Sequence, residues 1–454
     1  MRCSKYCLAV LALAIATPAA GQDRVPEQLS LEEAIALALR NNPQHQLLQN
    51  DLEVADAGIR RSYGAFLPEL SLRASVSSTY RESQTSLGDF GEPLSQPRPI
   101  ITKTSAGSQS IGLGSITLFD GGSQFRNLSI AKAERQVATT NILSGENTLR
   151  ANVTRAYYQI VNAERRIELE RRLLTFAEER MQLVERQFRI AAAKQTDLLG
   201  AQFEVSQRKQ SVADAESNAR RLRLDLLQVI GIAGEQPFKV VADLPPITDP
   251  ATLNAATLIA RAVATHPRIL ASTAAENIAE RRVSNSKASR LPSLTLVLPS
   301  YGWGATERGL FDAWGQMGAA NNSFSFGLSA NLPLFSKFQT SFAIAQVNAQ
   351  AEDARHQNRQ ARLEVENGVR TALIELERSH RSLVLAQEQA TVAQQRLELA
   401  QEEYRVGATN FTILQQIIQQ NDQAQRSVIE ARFNLLNARV ALEQAIGGPL
   451  VPNN

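Results

Sequence analysis

Along Asn321–Phe335 the chain reads NNSFSFGLSANLPLF, and its hydrophobicity alternates residue by residue. Phe324, Phe326, Leu328, Ala330 and Leu332 fall on one face; Ser323, Ser325, Gly327, Ser329 and Asn331 fall on the other. A period of two predicts a β-strand with one apolar and one polar face. In LPELSLRASVSSTY, Leu70, Leu72, Ala74 and Val76 alternate with Ser71, Arg73, Ser75 and Ser77. LPSLTLVL sets Leu294, Leu296 and Leu298 alike, and SIGLGSITLF, Ser110 to Phe119, alternates least cleanly. Four strands are expected, near residues 66–80, 108–119, 290–301 and 322–335. SQTSLGDFGEPLSQPRP and YGWGATERGLFDAWGQMGAAN, between the members of each pair, have loop composition.

Elsewhere the pattern changes to that of helices. Proline-free, Ala- and Gln-rich stretches predict helices over Gln124 to about Ile190, Thr196–Ile230, Thr340–Val406 and Thr412–Ile446. At 1.5 Å per residue the longer members reach about 100 Å and the shorter about 50 Å. Val153, Tyr157, Ile160, Ile167 and Leu174 in the first, and Val365, Val369, Leu376 and Leu383 in the third, form narrow apolar stripes. Such stripes suit helix–helix seams rather than a thick core. Thr196 and Thr412 are expected to cap the return helices, and Gly407 to supply a left-handed residue at a helix end. A shorter helix opens each half: Ser30 with Glu33 reads as a capping box, and Asn254 stands at the matching place. Pro43 and Pro267 interrupt these helices, and a second helix follows to about Tyr63 and Lys287.

This order of elements occurs twice. Pro43 and Pro267 lie 224 positions apart, as do Pro68 and Pro292; Phe119 and Phe335 lie 216 apart, as do Ile230 and Ile446. One length change of 8 residues reconciles the two spacings, so the chain is a tandem duplication. Residues 22–240 form the expected first repeat, with a helical hairpin over 124–231, and residues 241–454 the second, with a hairpin over 340–447. Residues 1–21 read as a secretory signal peptide: Arg2 and Lys5, the apolar run Cys7–Ala16, then small residues at Ala19 and Gly21. Both cysteines, Cys3 and Cys7, lie inside it, so no disulfide framework or thiol nucleophile is expected in the mature chain. A net charge of +3 argues for no nucleic-acid partner.

The strands then raise a question of environment. The helices offer only narrow stripes, already needed by each other, so the apolar strand faces lack a protein cover. Strands of roughly 9–11 residues suffice to cross a bilayer when tilted. In lipid every backbone group must be paired, so the sheet must close into a barrel, which takes about eight strands at least. Four cannot close. Several copies are therefore expected to share one barrel, with Leu70, Leu72, Leu294, Leu296, Phe324, Phe326 and Leu328 toward lipid.

In their duplicated order, LSLEEAIALALRNNP, LPELSL, LFDGG and YRVGATNF resemble the TolC-like outer-membrane efflux proteins. The resemblance covers the whole mature chain and rests on motif order more than on any one motif. It implies an α+β membrane protein: a homotrimer whose transmembrane β-barrel takes four strands from each chain and continues into a long periplasmic α-helical barrel. It further implies an exit duct of a tripartite efflux or type I secretion system in a Gram-negative outer membrane, fed by an inner-membrane transporter through a periplasmic adaptor. No cofactor is implied. The adaptor is expected at the helix tips, where Val406-Gly407-Ala408 and Ile190-Ala191-Ala192 stand in place of a Val-Gly-Leu-like motif. Of the family's gate latch, Tyr404 matches the tyrosine and Asp197 the aspartate, a hydrogen bond of about 1 kcal/mol. Thr409 replaces the latch arginine, and Ile413 and Gln416 replace the aspartates that ring the aperture. Ile413 with Gln415, Gln416, Gln419 and Gln420 then narrows the pore without an acidic ring, which predicts weak dependence on divalent cations.

No catalytic constellation emerges. His45, His266, His356 and His380 lack metal-ligand spacing and read as surface or capping residues. The run Gly112-Leu113-Gly114 lacks a third glycine, and Arg165-Arg166, Arg171-Arg172 and Arg220-Arg221 read as solvated helix faces. Two rival readings remain: a periplasmic adaptor, which also carries long hairpins, and a coiled-coil scaffold. The first lacks an expected inserted domain between the hairpin arms; the second leaves the alternating strands unexplained.

Overall fold

The computed structural model describes residues 25–87, 93–191, 193–241, 244–247, 249–307 and 321–450. The signal-peptide stretch 1–21 and the tip residue Ala192 lie outside the described residues. In chain order the elements are β1 (Gln28–Leu29), α1 (Leu31–Asn41), α2 (Pro43–Gly64), β2 (Ser71–Leu87), β3 (Pro93–Gly112), β4 (Ser115–Phe119), α3 (Ser123–Arg189) and α4 (Gln195–Ile230). There follow β5 (Lys239–Val240), a 3₁₀ turn (Pro250–Thr252), α5 (Ala255–Thr265), α6 (Pro267–Ala288), β6 (Ser293–Glu307), β7 (Asn321–Asn331), α7 (Gln339–Arg405) and α8 (Phe411–Ile446). Paired helices match in length: 11 residues in α1 and α5, 22 in α2 and α6, 67 in α3 and α7, 36 in α4 and α8.

Local chemistry sets the boundaries. Ser30 caps α1 in a full capping box: its Oγ accepts the Glu33 N–H, and the Glu33 carboxylate accepts the Ser30 N–H at 2.9 Å. Asn42 separates α1 from α2; its Oδ1 accepts the N–H groups of Gln44 and His45, and its Nδ2 donates to the Val229 carbonyl at 2.8 Å. His45 is thereby drawn inward and is buried, against the expectation of a surface position. His266 does cap, its Nδ1 accepting the Arg268 N–H ahead of Pro267. The return helices begin one residue earlier than expected. Asn410, not Thr412, caps α8, accepting the Ile413 N–H at 2.9 Å; Lys194, not Thr196, precedes α4, whose Asp197 carboxylate accepts the Lys194 N–H. In both tips the residue chosen is the one with extended backbone dihedrals.

Two compact units divide the chain, and neither follows the sequence repeats. One comprises Met1–Gln46, Glu146–Ala255 and Arg370–Asn454, the other Leu47–Gly145 and Ala256–Val369; α3 and α7 contribute to both.

The second unit holds an antiparallel sheet in the order β2–β3–β6–β7, with β4 also on β6 beside β3. β3 and β4 are one path broken at Gly114 (φ +65), where a Cβ would meet the Glu69 carbonyl at 3.0 Å. Strands outrun their expected bounds. β2 and β3 extend into the stretch read as loop, pairing Gln84 with Pro99 and Leu87 with Pro93, and β6 runs on to Glu307. Composition misled there because Ser and Thr, common in loops, also fill the polar face of a strand. A second departure is a bulge in β6 between Val297 and Ser300 against β7. Pro299 has no N–H to give the ladder, so two residues oppose one and the alternation shifts by a position. Beyond the bulge Tyr301, paired with Phe324, continues the face of Leu294 and Leu296.

The core of the first unit gathers Leu29, Ala34, Ala38, Val153, Tyr157, Ile160, Leu226, Leu227 and Ile230. Here β1 and β5 pair in parallel, and the buried Tyr157 hydroxyl bridges the carbonyls of Leu29 (2.8 Å) and Val241 (2.7 Å). Val153, Tyr157, Ile160, Val365, Val369, Leu376 and Leu383 are buried as seam positions require, whereas Ile167 and Leu174 are half-buried.

Candidate functional site

Three features of the chain bear on function: the sheet's edges, the helix tips and a set of buried charges. At the sheet, register aligns Leu72, Ile111, Tyr301 and Phe324 in one row across four strands, and Ile116, Leu296 and Leu328 in another. Leu72 (73% exposed) and Phe326 (71%) are open to the surroundings, as are Leu70, Phe324 and Leu328; Leu294 and Leu296 are half-buried. Ser300 and Ser325 hydroxyls hydrogen-bond at 2.8 Å from the alternate positions. Among the described residues β2 pairs with β3 alone and β7 with β6 alone. Each outer ribbon therefore has one edge that no other described strand pairs.

The tips lie in the first unit. At the second tip, α7 ends in a Schellman turn: the Gly407 N–H (φ +78) donates to the Tyr404 carbonyl and the Ala408 N–H to the Glu403 carbonyl at 2.8 Å. At the first tip Ala191, 216 positions earlier, takes the same left-handed conformation (φ +55) without being glycine. Ile190 (76% exposed) and Val406 stand out from the two turns, with Ala191, Gly407 and Ala408 also exposed. Tyr404 stacks obliquely on Phe411, ring centroids 6.1 Å apart, beside Leu397, Leu414 and Ile418. Burial pushes the Tyr404 phenol above its ordinary range, and the negative charge of Asp197 pushes the same way. Asp197 itself bonds to the Lys194 N–H and Thr196 hydroxyl; among the described residues no hydrogen bond joins it to Tyr404. Thr409 is half-buried, while Ile413 and Gln416 are exposed on α8.

Above the tips lies a cluster that the sequence reading missed. Arg180 (α3) donates to Glu204 (α4) at 2.5 Å; Arg208 (α4) donates to Asp422 (α8) and lies 3.7 Å from Glu204. Gln415 Nε2 reaches Glu204 at 3.4 Å, and Arg426 forks onto Glu170 (α3) at 2.8 and 3.0 Å. Three guanidinium groups thus balance three carboxylates, and Asp422 and Glu170 are each only 2% exposed. Burial holds the Asp422 carboxyl above the usual carboxylate range, although Arg208, Arg426 and Arg180 pull it down. The bond to Glu170 raises the Arg426 guanidinium still further. Duplication explains part of the cluster: Arg396 donates to Gln420 at 2.9 Å, the same pair as Arg180 and Glu204 shifted by 216, with an amide for the carboxylate. No local spacing signals the rest, since Arg208 and Asp422 are 214 residues apart.

The family model for outer membrane efflux proteins matches residues 34–232 and 258–448, most of both repeats. The chain belongs to the outer membrane efflux protein family. It is an efflux channel of the outer membrane. Among curated relatives it is 26% identical to outer membrane efflux protein BepC of Brucella suis biovar 1 (strain 1330), over 96% of this chain and 90% of the relative. The fold is similar to that of CusC (TM-score 0.73, 16% identity, 92% of each chain). It is also similar to the open state of the Neisseria gonorrhoeae MtrE outer membrane channel (TM-score 0.71, 19% identity, 92% of this chain and 89% of that one).

Proposed function

We propose that three copies of the chain close one β-barrel through the edges of β2 and β7, forming a passive duct whose helical part runs into the periplasm. The observation that carries this reading is the pair of unpaired edges on a sheet of four antiparallel ribbons. Four ribbons cannot close around themselves, and open edges are not tolerated in hydrocarbon. Exposed Leu70, Leu72, Phe324, Phe326 and Leu328, with half-buried Leu294 and Leu296, then meet lipid. Residues 1–21 act as the export signal, and the two repeats, 22–240 and 241–454, each supply two ribbons and a hairpin.

At the other end, a periplasmic adaptor docks on Ile190, Ala191, Ala192, Val406, Gly407 and Ala408 and brings cargo from an inner-membrane transporter. Small residues at these turns let a partner helix approach closely. Tyr404, Asp197, Thr409, Ile413 and Gln416 narrow the aperture, and no ring of carboxylates binds divalent cations there. Cross-linking tests the closure: cysteines at Thr79 on β2 and at Ser325 on β7 are expected to give disulfides between copies in outer-membrane fractions. A detergent-free, water-soluble monomer with intact β signal refutes it. Single-channel recordings are expected to show little block by divalent cations; strong block removes the assigned gate.

A further inference from the structure

The charges of the sheet are sorted by face. Residues directly opposite each other across β2, β3 and β6 share a face, so the register fixes the parity of every charged position. Arg73 stands opposite Ser110, Arg81 opposite Thr102 and Arg98 opposite Thr85, all in rows of the hydroxyl face that runs through Ser71 and Ser75. Glu82 stands opposite Ile101, Lys103 opposite Tyr80, and Glu307 joins the row of Ser78 through Ser105. Those three rows belong to the face of Leu72. Among the described strands of the sheet, the hydroxyl face thus carries three arginines and no carboxylate, and both carboxylates lie on the other face. Composition does not force this sorting, since the chain holds 48 basic and 45 acidic residues. A face that merely meets water mixes both signs, whereas a single sign makes a steering field.

Arg73 shows how such a charge stays available. It is exposed, and among the described residues no ion pair engages it. Its row continues through Ser110 to Gly302, so the next two ribbons put no long side chain beside it. Ser75 lies two positions further on, about 7 Å along the ribbon, inside the roughly 10 Å over which a charge is felt at 0.1 M salt. The rows of Arg81 and Arg98 lie 8 and 12 positions beyond Arg73 along β2, so the cations are spread along the ribbon rather than gathered at one end. In a closed barrel the opposite face of the sheet meets hydrocarbon, a low-dielectric wall that turns the field of these groups into the lumen. Three copies repeat each arginine around one aqueous passage.

We propose that the hydroxyl face is an anion-preferring passage, in which Arg73, Arg81 and Arg98 favour cargo bearing carboxylate, sulfonate or phosphate groups over cationic cargo. The inference rests on the barrel reading above and adds to it the class of substrate. Both cysteines precede residue 22, so Ser75→Cys gives the mature chain a single thiol. Its modification is followed in proteoliposomes with a sulfonated and a trimethylammonium methanethiosulfonate, each rate normalised to that on a free thiol. The reagents enter by the barrel mouth, so the readout does not depend on the gate at the helix tips. At low salt the anionic reagent is expected to react about tenfold faster, a preference that shrinks in about 1 M salt. Changing all three residues together, Arg73→Gln, Arg81→Gln and Arg98→Gln, is expected to abolish the preference, and the matching three changes to Lys to keep it. Naphthalenedisulfonate, at equal ionic strength, is expected to slow the anionic reagent about twofold in the parent and not in the glutamine variant. Equal normalised rates in the parent, or a preference unchanged in the glutamine variant, overturns the proposal; no competition by the disulfonate overturns the assigned cargo class. Leu72→Cys, on the other face, serves as reference and is expected to be shielded from both reagents. Reaction there as fast as at Ser75→Cys, or none at Ser75→Cys, sinks the barrel reading itself.

Discussion

Arg208→Met is the most informative single perturbation. Its guanidinium lies 8% exposed between Glu204 and Asp422. After the change Glu204 keeps Arg180 at 2.5 Å, so the group left without a direct partner is Asp422, 2% exposed. Removing one member of a buried ion pair costs about 3–5 kcal/mol, because the remaining charge stays desolvated. Replacing both, Arg208→Met with Asp422→Leu, removes the charge along with its partner and is expected to return stability to within about 1 kcal/mol of the parent.

The pH dependence gives a second handle. The folded pKa of Asp422 lies above its ordinary value because of burial. Below the unfolded pKa both states hold the proton and the group contributes nothing. Above the folded pKa the native state carries a costly charge, so the contribution is destabilising and is relieved as pH falls through that value. Losing Arg208 removes the strongest downward pull. The deficit of the single variant is therefore largest above the folded pKa of Asp422 and shrinks as pH falls through it. Unfolding followed by helical circular dichroism, at fixed protein concentration because assembly shifts apparent stability, measures all three proteins. A deficit below about 1 kcal/mol, one that does not shrink on acidification, or a double variant worse than the single, refutes the reasoning.

Two further expectations concern the left-handed turns. Gly407→Ala adds a Cβ to open space, so its cost is backbone strain alone, about 1 kcal/mol, while Ala191→Gly at the matching tip relieves a similar amount. Hydrogen exchange at the Ala408 amide is expected to speed up about fivefold in the first and to be unchanged in the second; equal rates in parent and Gly407→Ala contradict the assignment. Gly231→Ala is a harsher case, since the new Cβ would meet the Asn41 carbonyl oxygen at 2.5 Å. Backbone cannot swing aside, so a loss of about 3 kcal/mol is expected by thermal unfolding, and a change under about 1 kcal/mol means the α1–α2 joint moves freely.

Much of the architecture was legible where one local signal acted alone. Ser30 with Glu33, the breaks at Pro43 and Pro267, and the alternation through Phe324–Leu328 all depend on neighbours within a few residues, and each appears in the structure. Errors arose where a residue type serves two purposes. Ser and Thr between 83 and 99 suggested loop but line strands, and Thr196 and Thr412 suggested caps, although Asn410 and the backbone at Lys194 take those places. Asp197 and Tyr404 were paired by resemblance; the structure couples them through charge without joining them by a hydrogen bond. The buried charges were invisible for a different reason. Arg208 on one repeat and Asp422 on the other meet only after folding, and nothing in either local sequence marks them.

The unpaired rims of β2 and β7 have a consequence for the life of a newly exported subunit. On the trimeric reading proposed above, a subunit that has not yet met its neighbours carries two adhesive ribbons through an aqueous compartment, each able to graft onto any extended chain it encounters. Productive ring formation then competes with clumping, and the winner is decided by how many siblings are nearby and how soon they arrive.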